Sequence, residues 1–170
     1  MKDRIVNKML KKHLVDFSTI IFIFLIDRVS KLLIISSPET YEQYGISITS
    51  FLNFNLIWNE GIAFGLFSFD EKFYYNLLTI IICIVILIII WLMLKSKGFE
   101  KISFLLIIGG SIGNIYDRIY YSAVPDFIDI HFNNYHWFIF NVADIFITLG
   151  IVFLICIEIL GSKNKKNENY

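Results

Sequence analysis

Asp126, in "VPDFIDIHF", and Asp144, in "FNVADIF", are carboxylates set among apolar and aromatic neighbours. Ionised acids in such surroundings are costly and mark functional candidates unless they are paired. Two carboxyls sharing a site repel, so one keeps its proton while the other is charged. Such a pair suits acid–base chemistry on water. The charged member deprotonates a water attacking a peptide carbonyl, and the protonated member donates to the carbonyl oxygen as it becomes tetrahedral. Spacing alone does not say that these two meet, and Asp117 and Asp129 compete for the partner role. For Asp144 the plainer alternative is capping of a helix start, together with Asn141.

Other polar residues sit where hydropathy gives them no place. Asp27 and Lys31 are four residues apart, so they can pair on one helical face; a salt bridge with a snorkelling lysine is the bland reading. In "GGSIGNIYDR", Gly109 and Gly113 form a small-xxx-small pair that admits a neighbouring helix closely. Asn114, Asp117 and Arg118 follow at helical spacing and crowd one sector, which at its plainest is a packed helix end with an Asp–Arg pair. His131 and His136 raise zinc, but their spacing matches no helical zinc pattern. Ser30 and Lys31 lack the separation of a Ser–Lys peptidase, and neither a GxSxG nor a phosphate loop occurs. Cys83 and Cys156 lie in apolar runs without a CxxC and read as packing residues.

The elements that must position these groups are membrane helices. The chain has 170 residues, 56% of them hydrophobic, gathered into apolar segments at about 14–35, 73–94, 102–118 and 138–160. No small-residue cleavage site follows the first, which reads as a retained span. Lysines and Arg4 cluster before segment one, and lysines between segments two and three and after segment four. The positive-inside rule puts those clusters, and both termini, in the cytoplasm. Segments 36–72 and 119–137 then lie outside. Their β-branched and aromatic residues, broken by glycine, predict short strands and turns, with Asn133, Asn134 and Tyr135 as one turn. Trp58 and Trp137 suit a headgroup layer. The tail 161–170 is polar and expected to be disordered. The expected fold is an all-α membrane protein of four transmembrane helices, with a small outer β-platform and loop or lid segments, forming one domain over 1–170. A formal net charge of zero gives no field to attract nucleic acid.

The blocks "DRVSK", "NEGIAFG", "GGSIGNIYDR", "VPDFID" and "FNVAD" occur in the order found in bacterial lipoprotein signal peptidases, the signal peptidase II family, which the chain resembles along nearly its full length. The resemblance implies an aspartic endopeptidase of the inner membrane that uses no metal or organic cofactor. It implies cleavage of prolipoproteins on the amino side of a diacylglyceryl-modified cysteine at the outer face, and inhibition by globomycin-type peptides. Carried over by motif, the catalytic acids are Asp126 and Asp144, with Asp27, Lys31, Asn59, Gly61, Asn114, Arg118 and Asn141 binding substrate or supporting the pair. Asn114 and Arg118 are the first choices for positioning, 36–72 for a lid, and membrane lipid and prolipoprotein for partners of an expected monomer. Pro125 stands where relatives carry valine and removes a backbone donor. A small transporter would want its acid near the midplane and little outer structure. A non-enzymatic scaffold or lipoprotein chaperone would keep its role without either acid.

Overall fold

The run between Lys72 and Lys95 carries no charge and folds as α2 (Lys72–Lys95), with nothing inside it to break a helix and little to turn toward protein. The structure, a computed structural model, describes residues 2–41, 45–61, 72–132 and 135–167. The other helices are α1 (Lys2–Ile35), α3 (Gly98–Tyr121) and α4 (Val142–Asn167). Among the described residues, Phe73–Lys95, Gly98–Tyr121 and Val142–Gly161 are long and apolar enough to cross a membrane. The protein is thus mostly helical, with three candidate spans and a small antiparallel sheet. The first predicted span is helical but does not meet that measure, because Asp16, Asp27, Arg28 and Lys31 interrupt its apolar run.

Two boundaries differ from expectation. Phe138–Phe140, read as the start of the fourth span, belongs to a strand, and the helix begins at Val142. Pairing of Ile139 and Phe140 with Asp129 and Ile128 of the neighbouring strand wins there over raw hydropathy. The tail expected to be disordered continues α4 to Asn167, with no proline to stop it.

The central helix is α3, which packs on α1, α2 and α4. Its glycines explain how. A Cβ on Gly109 would strike the Ile23 side chain, and one on Gly110 would lie 2.5 Å from the Ala143 carbonyl oxygen. One on Gly113 would enter the Asp27 carboxylate. The small-xxx-small stripe therefore admits α1, and Gly110 admits the start of α4. Met93, Phe104, Leu105 and Ile108 form the buried apolar centre between the helices.

The two predicted outer segments zip together. Strands β1 (Ile46–Thr49), β2 (Leu52–Asn59), β3 (Val124–Phe132) and β4 (Tyr135–Phe140) form one antiparallel sheet in sequence order. Tyr135 therefore opens a strand rather than belonging to a turn; Asn133 and Asn134 lie outside the described residues, as do 42–44 and 62–71 of the expected lid. Pro125 is accommodated because β4 pairs with β3 only from Ile128 onward, so this end of β3 is bonded to β2 alone. Ile34, Leu56 and Phe127 pack with Val142, locking the sheet to the ends of α1 and α4.

Candidate active site

Asp144 is the third residue of α4, and Asn141 precedes the helix. The Asp144 N–H donates to Asn141 Oδ1 at 3.1 Å, and the Asn141 N–H donates to Asp144 Oδ2 at 3.1 Å. This reciprocal pair is a capping box, so the capping reading of Asp144 holds. It leaves Asp144 Oδ1 for another partner, Asn114, whose Nδ2 donates at 2.9 Å.

Asp126 lies on β3, opposite Ile57 of β2. Its carboxylate accepts from Asn59 Nδ2 at 2.9 Å and from Asn141 Nδ2 at 2.6 Å. Asn141 therefore serves both acids, and the fold gathers Asp126 and Asp144 around one fully buried carboxamide. The orientations of these amides follow from donors they must receive. Asn59 Oδ1 accepts from the Gly61 N–H at 2.9 Å, which turns its NH2 to Asp126. Burial, and behind it the charge of Asp144, push the Asp126 carboxyl up to about 7, against the pull of the Asn59 and Asn141 donors and of Lys31.

The supporting residues fall into the same network. Arg118 donates to the Gly61 carbonyl and stacks on Tyr75, 5.5 Å from the ring centre. Its buried Nη1 has no hydrogen-bond partner among the described residues. A cavity of about 290 Å³ opens between Arg118, Asn59, Asn114, Asn141 and Asp144, walled by Ile82 and Ile147. On its other side Asp144 borders a nearly apolar cavity of about 390 Å³ lined by Phe138, Phe140, Ile145 and Leu149.

Lys31 does not snorkel. It is fully buried and donates to Asp27 at 2.8 Å, Asp117 at 2.6 Å and Asn114 at 2.8 Å. The expected Asp117–Arg118 pair is also absent from this network: Asp117 bonds Arg28 and Lys31 of α1, while Arg118 turns to Gly61. Sequence reasoning gave Arg28 no role, and it made Asp117 a rival for the dyad. The signal was present, since Asn114 and Asp117, three apart, share the face of α3 that meets Lys31.

Asp129 lies three residues after Asp126 on β3, so by strand parity the two point to opposite faces. It is 1% exposed and contacts His136 Nδ1 at 2.8 Å. Asp129→Asn is therefore expected to keep cleavage activity within about tenfold of the native rate, a smaller loss than removing a positioned acid or base gives, since Asp129 faces away from Asp126 and does not line the cavity beside Asp144. Loss as deep as that of an Asp126 variant would make Asp129 the working acid of "DFID". Among the described residues no three His, Cys, Asp or Glu gather as a cation site would require.

Residues 19–160 match the family described as signal peptidase (SPase) II. A protein named lipoprotein signal peptidase from Pelagibacter ubique (strain HTCC1062) is 50% identical over 159 residues, 94% of this chain and 96% of that one. Another of that name, from Anaplasma phagocytophilum (strain HZ), is 32% identical over 152 residues, 88% of this chain and 95% of its own. Two bacterial membrane enzymes solved by the in meso method share the fold. The one at 2.3 Å resolution has a TM-score of 0.76 at 27% identity, covering 89% of this chain and 91% of its own. The one at 1.9 Å has a TM-score of 0.67 at 28% identity, covering 84% and 90%.

Proposed function

This chain belongs to the signal peptidase II family, and on that premise we propose that Asp126 and Asp144 are its catalytic pair. The protein is a peptidase, a lipoprotein signal peptidase of the multi-pass inner-membrane type. The observation that carries the dyad is the shared Asn141, which bonds Asp126 through its side chain and Asp144 through its backbone.

The proton of Asp126 makes it the acid, and Asp144 is the base. Water attacks the scissile carbonyl carbon as Asp144 takes its proton and Asp126 gives its own to the carbonyl oxygen. Collapse breaks the C–N bond; Asp144 returns its proton to the leaving amine and Asp126 recovers the hydroxyl proton. The amine released is that of the lipid-modified cysteine. Arg118 Nη1, a buried donor beside the cavity, suits a substrate backbone carbonyl. The apolar cavity beside Asp144 suits an acyl chain of the diacylglyceryl group.

Helix α1 is the fourth span. The charges that exclude it on hydropathy turn inward: Asp16 pairs with Lys101, and Asp27, Arg28 and Lys31 meet α3. Paired charges facing a bundle interior are the form in which membrane helices carry them. The lysine clusters then put both termini in the cytoplasm and the sheet, with the dyad, at the outer face. The whole chain acts as one domain and as a monomer.

Purified enzyme in detergent, offered a diacylglyceryl-modified prolipoprotein and the same substrate unmodified, tests this. Cleavage on the amino side of the modified cysteine alone is expected. Equal cleavage of both substrates, or cleavage elsewhere, would overturn the proposal.

A further inference from the structure

Lys31 has more to do than neutralise its neighbours. Its ammonium has three donors and no acceptor, and all three are used, on Asp27, Asp117 and Asn114. The charges balance without Asp144: Asp27 and Asp117 on one side, Lys31 and Arg28 on the other, with Arg28 bonded to Asp117. Neutrality alone would not need the bond to Asn114, and that bond has a consequence for Asp144.

We infer that Lys31 is a positioning residue that fixes the Asn114 carboxamide so that its NH2, and never its oxygen, faces Asp144. The inference rests on the reading of Asp144 as the base. Lys31 can only donate, so Asn114 must present Oδ1 to it at 2.8 Å. The planar amide then directs Nδ2 to the Asp144 carboxylate at 2.9 Å. An NH2 group can serve an ionised oxygen and cannot accept from a protonated one. Lys31 thus favours the charged form of Asp144, as a base requires, from one amide away.

A second path leads from the same ammonium to the same acid. Lys31 holds Asp27 Oδ2, and Asp27 Oδ1 accepts the Ala143 N–H at 2.9 Å. That N–H belongs to the residue before Asp144, at the open start of α4, where backbone donors lack helical partners. Side chain and backbone of the base are therefore both tied to Lys31. Gly113 makes the tie possible, because a side chain there would displace Asp27.

The groups facing this network are Asp27, Arg28 and Lys31 from α1, Asn114, Asp117 and Arg118 from α3, Asn59 from β2 and Asp126 from β3, with Asn141 between the acids. Removing Lys31 withdraws the cation bonded directly to Asn114 and frees the amide to turn. An Asn114 oxygen set against Asp144 favours the protonated acid, so the base is lost at low pH.

The test uses purified full-length enzyme with a diacylglyceryl-modified prolipoprotein, measuring kcat, KM and the pH profile of kcat. Lys31→Met is expected to lower kcat about ten- to a hundredfold, as loss of a charge-assisted bond would, with KM little changed. Its acidic limb should move up by about one pH unit. Because Lys31→Met alone leaves two buried acids against one arginine, a second variant, Lys31→Met with Asp27→Asn, restores the balance and should show the same shift. Lys31→Arg, which keeps charge and donors, should return the limb toward its native position. An acidic limb at its native pH in both Met variants would overturn the inference even if kcat fell, since that is what a merely structural lysine gives. Failure of the charge-balanced variant to fold would assign Lys31 to the fold alone, with the same result. Native activity in Asp144→Asn would instead remove the dyad reading beneath it.

Discussion

Asp126→Asn and Asp144→Asn are each expected to lower cleavage of a lipid-modified prolipoprotein by about a thousandfold or more, within the range for removing a positioned acid or base. The surroundings make asparagine a harsher replacement than its shape suggests. Asp126 accepts on both oxygens, from Asn59 and Asn141. Those two amides cannot both turn away, because Asn59 Oδ1 is held by Gly61 and Asn141 Oδ1 by the Asp144 N–H. A carboxamide in place of the Asp126 carboxylate would put its NH2 against one of these donors. Asp144 likewise accepts on both oxygens, from Asn114 and the Asn141 N–H. Each variant should therefore lose about 1–3 kcal/mol of stability as well. Activity must be read beside a thermal melt or a size-exclusion profile showing folded protein. Cleavage at the native rate by either folded variant would remove that residue from the mechanism. An equal loss from Asp129→Asn would not fit, since that acid lies across the sheet with His136.

What the sequence made legible divides by the range of the interaction. Helical spacing alone paired Asp27 with Lys31, and the apolar segments located the three candidate spans to within about a helical turn. The capping role of Asp144 was also local, since Asn141 stands three residues before it. The meeting of Asp126 and Asp144 was not local. It depends on β3 pairing with β2 across an intervening helical hairpin, and on Asn141 lying between β4 and α4. Motif resemblance supplied the pair where spacing left Asp117 and Asp129 open. Asp117 misled because an acid beside an arginine reads as a pair, whereas neighbouring residues on a helix point in different directions. The strand at Phe138–Phe140 was hidden because an apolar strand and the start of an apolar helix look alike in hydropathy.

Above neutrality, cleavage should fall about tenfold for each further pH unit, with the basic limb of kcat/KM near pH 7. On the proposed dyad, Asp126 is the source of that limb. Its carboxyl is pushed up to about 7 by burial first and by the charge of Asp144 second. Below that pH it holds the proton the carbonyl oxygen needs, and above it both acids are charged and no donor remains. Linkage gives a second observable with a definite sign. The unfolded chain releases this proton near 3.8, the folded chain near 7, so between those values the folded state binds more protons. The contribution of Asp126 to stability is therefore full at acid pH and declines as pH rises from about 4 to about 7. A carboxylate whose pKa a salt bridge depresses acts in the opposite sense, losing its contribution as pH falls. The assignment can be separated from a limb due to a lysine or to the substrate by removing a donor. The Asn59 amide stabilises ionised Asp126, so Asn59→Ala should carry the basic limb to higher pH while lowering the rate. A limb that stays at its native position in that variant would belong to a group other than Asp126. A limb that moves up would tie the acid half of the reaction to the carboxyl that β2 and Asn141 enclose.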